Sequence, residues 1–170
     1  VGVYYDFDEV DAFTVGAIGR PGQRTFLLQA RRGGERVTVK CEKQQAAAIA
    51  EYLRKVLNDL PPPADRPMPG ALELAPPVDA VFVLGPIGLG YERASDRFLI
   101  QLDEMVPIDD EGDQDPELLQ DRGRVRVFLT RGQVQAFCVQ ADQLVAAGRP
   151  PCVWCGGPMD PEGHACPRMN

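Results

Sequence analysis

The chain repeats itself, and that repeat restricts the fold more than any other feature. Phe13-Thr-Val-Gly-Ala-Ile-Gly19 reappears as Phe82-Val-Leu-Gly-Pro-Ile-Gly88, and Phe26-Leu-Leu-Gln29 as Phe98-Leu-Ile-Gln101. Val37, Val39 and Cys41 then match Val125, Val127 and Leu129 at an offset of 88. Their alternation marks one face of a strand. The same offset carries Ala46, Ile49, Ala50, Leu53, Val56 and Leu57 onto Val134, Phe137, Cys138, Ala141, Leu144 and Val145, and Gln45 onto Gln133. The apolar positions in both stretches recur at i, i+3, i+4 and i+7, the stripe of an amphipathic helix.

These periods predict an α+β fold: a duplicated unit of antiparallel strands followed by a helix, with the two copies packed together. In the first copy, residues 1–60, strands are expected near Val3–Phe7, Ala12–Ile18, Thr25–Arg31 and Arg36–Cys41, and a helix near Lys43–Asn58. Pro61-Pro62-Pro63 ends that helix and opens a proline-rich linker over 61–70. In the second, residues 71–148, strands are expected near Leu72–Leu74, Ala80–Leu84, Arg97–Met105 and Arg124–Leu129. A helix follows near Arg131–Ala147, with Gly148 placed to cap it. An acidic insertion, 103–121, reads as a solvated, mobile loop. Residues 149–170 form a separate tail.

The chain has 170 residues and a formal net charge of −7, which argues against generic polyanion binding by the whole molecule. The charge is divided unevenly. Phe13 to Leu57 holds nine basic residues against three acidic ones, and Phe82 to Ala147 holds six against twelve. Arg20, Arg24, Arg31, Arg32, Arg36, Lys40 and Lys43 could therefore form a nucleic-acid surface on the first unit, although aromatic interleaving there is poor. A solvated charged face explains the same residues.

The tail carries the definite chemistry. Cys152, Cys155, His164 and Cys166 follow the spacing C-x2-C-x8-H-x-C. Three thiolates and an imidazole are a common structural zinc set, and two close pairs can close a tetrahedron. Gly156 and Gly157 let the backbone curl after the first pair. So short a segment has no core of its own, so zinc would supply its folding energy. A redox C-x-x-C would open a helix, whereas Gly-Gly-Pro follows here. A disulfide would leave His164 unexplained.

Other features have plainer explanations. Cys41 and Cys138 sit on apolar faces and read as core. Gly85-Pro-Ile-Gly-Leu-Gly90 resembles a phosphate loop, but its first half recurs in the other unit, so turn or bulge glycines fit better. The acidic run from Asp109 to Asp115 has its glycine in the wrong place for a calcium loop. No nucleophile has a visible base partner. No apolar run reaches the roughly 20 residues of a membrane span, and the N-terminus does not read as a secretion signal, so the cytoplasm is expected.

Gly22 to Ala30, Glu42-Lys-Gln-Gln45 and the tail from Gly148 to Asn170 resemble an uncharacterised bacterial family, domain of unknown function 3090. That resemblance implies the same acidic insertion and the same cysteine and histidine positions, Cys152, Cys155, His164 and Cys166, with no activity attached. Strands then a helix, twice over, is also similar in outline to the intertwined repeats of Pur-alpha and Whirly single-strand binders.

The expected function is that of a non-enzymatic zinc-binding protein that meets another protein, through the tail around Trp154 or through the acidic loop. The alternative is a single-strand nucleic-acid binder using the basic first unit. An enzyme of unfamiliar type is the third reading.

Overall fold

The computed structural model describes residues 2–20, 22–67, 70–147, 152–157 and 166–168. Strands β1 (Tyr4–Phe7), β2 (Ala12–Ile18), β3 (Thr25–Arg32) and β4 (Glu35–Cys41) lead into helix α1 (Lys43–Asn58). After the linker come β5 (Leu84–Glu92), β6 (Arg97–Glu104), the short helix α2 (Pro116–Gln120), β7 (Arg124–Leu129) and helix α3 (Arg131–Ala146). Two sheets result. One has the order β2-β3-β4, the other β1-β7-β6-β5.

The alternating apolar residues set the register. Phe26, Leu28 and Ala30 pair with Cys41, Val39 and Val37. Phe98, Ile100 and Leu102 pair in the same way with Leu129, Val127 and Val125. All twelve side chains are buried in one core that also takes in both long helices. On α1 the buried positions are Ala46, Ile49, Ala50 and Leu53, and on α3 they include Val134, Phe137, Cys138 and Ala141. Fully burying one large apolar side chain contributes on the order of 1.5–3 kcal/mol, so this stripe holds each helix in place. Both helices also start alike. The Gln45 side chain accepts from Glu42 N at 2.8 Å, and the Gln133 side chain from Thr130 N at 3.0 Å. Such a bond satisfies a backbone donor at the helix entrance.

The two halves interlock. β1 leaves its neighbour β2 and joins the other sheet, parallel to β7. Reciprocally, the segment before β5 lies beside β4, where Val83 bridges Lys40 in parallel and Lys40 N donates to Phe82 O at 3.1 Å. The glutamines that start the helices reach across too: Gln45 Nε2 donates to Leu84 O, and Gln133 Nε2 to Val10 O.

Several expectations change. Leu72–Leu74 is not a strand. It belongs to a turn segment, 71–75, that crosses the outer face of the β2-β3-β4 sheet as a strap. Thr14 Oγ1 donates to Leu72 O at 2.6 Å, Gln29 Nε2 to Ala75 O at 3.0 Å, and Ala75 N donates back to Gln29 Oε1 at 2.8 Å. The inner face of this sheet is buried in the core, so the segment docks on the outer face through the side chains of Thr14 and Gln29. The Ala80–Leu84 strand starts later, at Leu84, because before it Val83 forms only an isolated bridge, to Lys40. Gly85-Pro-Ile-Gly-Leu-Gly90 forms no phosphate loop. It lies in β5, with a register shift between Leu84 and Ile87. Phe13 stands opposite Ala30, and Ile87, not Phe82, stands opposite Leu102.

The linker is also fastened. Asp65 accepts from Thr130 Oγ1 and from Gly132 N at the start of α3, and a Cβ at residue 132 would collide with Asp65. The acidic insertion folds locally instead of standing open. Asp109 accepts from Glu111 N and Asp113 N, and Asp115 caps α2. Asp103 departs furthest from a solvated loop: it is buried between Arg124 at 2.8 Å and Arg122 at 3.1 Å. α3 ends at Ala146 with Ala147 as its cap, and Gly148 lies outside the described residues.

Candidate metal centre

The tail builds its site from a backbone knuckle. Cys152 N donates to Gly157 O at 2.7 Å, and Gly156 N to Cys152 O at 2.8 Å. Gly156 has φ +73, a left-handed conformation that suits glycine. The turn aims amide hydrogens at sulfur: Trp154 N lies 3.4 Å from Cys152 Sγ, and Gly157 N lies 3.4 Å from Cys155 Sγ. Donors so placed favour thiolates over thiols.

Cys166 returns to complete the group. The sulfurs of Cys152, Cys155 and Cys166 lie within 4.8 Å of one another, and Cys152 and Cys166 Sγ are 3.9 Å apart. A tetrahedral ion with metal–sulfur bonds of about 2.3 Å would hold its sulfurs about 3.8 Å apart. The donor set therefore fits a metal ion. None of the five cysteines forms a disulfide. Burial is the chief cause raising the Cys166 thiol above its usual range, and the neighbouring thiols add to it. A bound cation would reverse that balance and take the thiolate as ligand. His164, the fourth ligand expected from the sequence, lies outside the described residues.

The chain matches the family model described as protein of unknown function (DUF3090) over residues 5–166. It belongs to that family. No curated protein and no solved structure matches it.

Elsewhere in this DUF3090 chain several of the basic residues contact other parts of the fold. Arg24 donates to Leu144 O at the end of α3 and lies over the Phe26 ring. Arg31 donates to Ala71 O in the strap, and Arg32 pairs with Glu9 at 3.1 Å. Arg36 sits opposite Arg31 in the ladder, on the outer face that the strap crosses. Lys40 lies beside Val83, Lys43 opens α1, and Arg20 is exposed after β2. Trp154 stands out from the knuckle at 62% exposure, next to Val153 at 89%.

The sequence reading placed the cysteines but missed the outer faces of the sheets. The available signal was Gln29 with Gln101, the same residue closing the similar strings Phe26-Leu-Leu-Gln29 and Phe98-Leu-Ile-Gln101. Cys41 and Cys138 are buried as expected, and burial pushes their thiols up to about 12 and about 11. Among the described residues, no helix is long and apolar enough to cross a membrane.

Proposed function

We propose that this chain is a non-enzymatic protein-interaction module of the cytoplasm, an adaptor whose tail folds around one structural zinc ion. The carrying observation is the clustering of the Cys152, Cys155 and Cys166 sulfurs within 4.8 Å. In this reading His164 completes the tetrahedron, and the ion supplies the folding energy that so short a tail lacks. The exposed Trp154 and Val153 on the knuckle are suited to contact a partner, since tryptophan supplies a large rigid surface at small entropic cost.

The body that carries the knuckle is a duplicated unit. Supporting this, positions 88 apart meet at the crossing of α1 and α3: Cys138 Sγ lies 3.5 Å from Ala50 O, and Arg54 pairs with Asp142. Contact between equivalent positions is the mark of a two-fold relation. Single-strand binding through the first half is the weaker reading, because Arg24, Arg31 and Arg32 already hold other parts of the chain.

Native mass spectrometry of protein purified without added metal tests the proposal. One zinc per chain, removed by a strong chelator and absent from Cys152→Ser, is the expected result. Metal-free wild-type protein whose tail amides stay protected would overturn it.

A further inference from the structure

The outer faces of the two sheets carry the same constellation, and among the described residues only one is covered. On the first sheet Gly16 pairs with Leu27, and Thr14 with Gln29, which itself faces Thr38. On the second, Gly90 pairs with Leu99, and Gly88 with Gln101, which faces Arg126. Glycine, leucine and glutamine thus recur in one geometric arrangement.

On the first sheet the strap lies across that arrangement. The Gln29 amide makes a reciprocal pair with the Ala75 backbone, and Leu74 fills the space above Gly16, where a Cβ would collide with it. Thr14, Leu27, Gln29 and Thr38 are all buried as a result. On the second sheet no described segment lies there. Gly88 is exposed, and Gly90, Leu99, Gln101, Arg126 and Phe128 are half-buried. Nothing comes within 4 Å of a Cβ built at Gly90. The Gln101 amide reaches only Asp103 Oδ2 at 3.5 Å, and Arg126 Nε is buried with no hydrogen-bond partner.

We infer that the outer face of the β1-β7-β6-β5 sheet docks an extended peptide segment of a partner protein, seated as the strap is seated on the other sheet. Gln101 pairs with a backbone amide of that segment. An apolar side chain enters the space over Gly90, beside Leu99. The exposed end of the Arg126 guanidinium meets an acidic side chain of the segment. Three arginines, Arg122, Arg124 and Arg126, meet two carboxylates, Asp103 and Asp6, and the Arg126–Asp6 pair is long at 3.7 Å, which leaves one positive charge for an acidic residue of the segment. This surface uses none of the tail cysteines, so its test stands apart from metal binding.

The probe is a synthetic nonapeptide with the sequence of the strap, Gly70 to Val78, titrated into the full-length protein labelled with nitrogen-15. Saturable shifts at Gly88, Gly90, Leu99, Gln101 and the Arg126 Nε–H are expected. Gln101→Ala should weaken the interaction about tenfold, the scale of a lost hydrogen-bonded pair. Gly90→Val should abolish it while leaving the spectrum of the buried core unchanged, since its side chain meets open space. No saturable shift up to millimolar peptide overturns the inference. So do shifts that survive Gly90→Val, and so does a single-stranded oligothymidylate that moves these resonances where the peptide does not.

Discussion

Arg54 on α1 grips Asp142 on α3 with one guanidinium nitrogen, 2.6 and 2.7 Å from the two carboxylate oxygens, one turn along from the contact of Cys138 with Ala50. The ion pair is half exposed, at 40% and 62%, so its worth is small. Ala50 and Cys138, both buried, set how closely the helices approach.

The crossing should therefore be governed by size and not by charge. Arg54→Ala is expected to cost about 0.5 kcal/mol. Ala50→Leu should cost about 1–3 kcal/mol, because a well-packed crossing has no room for three extra carbons. Urea denaturation of both variants ranks the two effects, and a larger loss for Arg54→Ala would reverse the assignment.

Gln29 is the clamp for the strap. It is 1% exposed and bonds Ala75 through both amide atoms and Thr38 through Nε2. Gln29→Ala leaves buried backbone groups unpaired, at a cost of about 2–3 kcal/mol. Hydrogen exchange at Ala75 should accelerate by more than exchange at Val39, which lies on the core side. Equal acceleration at both sites would make Gln29 a general core residue.

Asp96 and Tyr91 predict a pH dependence. Tyr91 Oη donates to Asp96 Oδ1 at 2.6 Å, and Arg131 Nε to Oδ2 at 3.1 Å. The Tyr91 hydroxyl, then Arg131, holds the Asp96 carboxyl below its ordinary 3.8. A carboxyl lowered on folding stabilises the fold above its unfolded value, and that contribution fades as pH falls through the lower folded value. Tyr91→Phe should move the Asp96 titration back up towards 3.8, read from its side-chain carbon-13 shift. A titration unmoved by the substitution would assign the shift to Arg131.

Cysteine reactivity separates core from tail. The Cys41 and Cys138 thiols are buried and pushed up to about 12 and about 11, so both stay protonated near pH 8. Iodoacetamide on the folded, chelated protein should label Cys152, Cys155 and Cys166 and spare the other two. Without chelator, labelling of those three should slow at least about tenfold if an ion holds the thiolates. Equal rates with and without chelator would argue against bound metal.

Local signals and tertiary decisions divide cleanly along this chain. Period-two and period-3.6 patterns located β2, β3, β4, β7 and both long helices, because those elements bury one face and alternate or spiral accordingly. The Gln45 and Gln133 match fell on equivalent helix starts for a similarly local reason. The C-x2-C spacing likewise brought Cys152 near Cys155, since a knuckle needs only its own few residues.

Partnership between distant segments carries no such period. β1 pairs with β7, and the 71–75 segment becomes a strap instead of a strand, because those choices depend on which edges and faces remain open after the core forms. Arg31, in sequence one charged residue among several, holds a strap carbonyl. Asp103 looked like part of a solvated run and instead lies buried between two arginines. The sequence by itself determined the strands and helices that bury one face and the spacing of the C-terminal cysteines, all properties of neighbouring residues. Only the tertiary structure decided how the halves interlock and which sheet face is covered, because those outcomes are set by contacts between residues far apart in the chain.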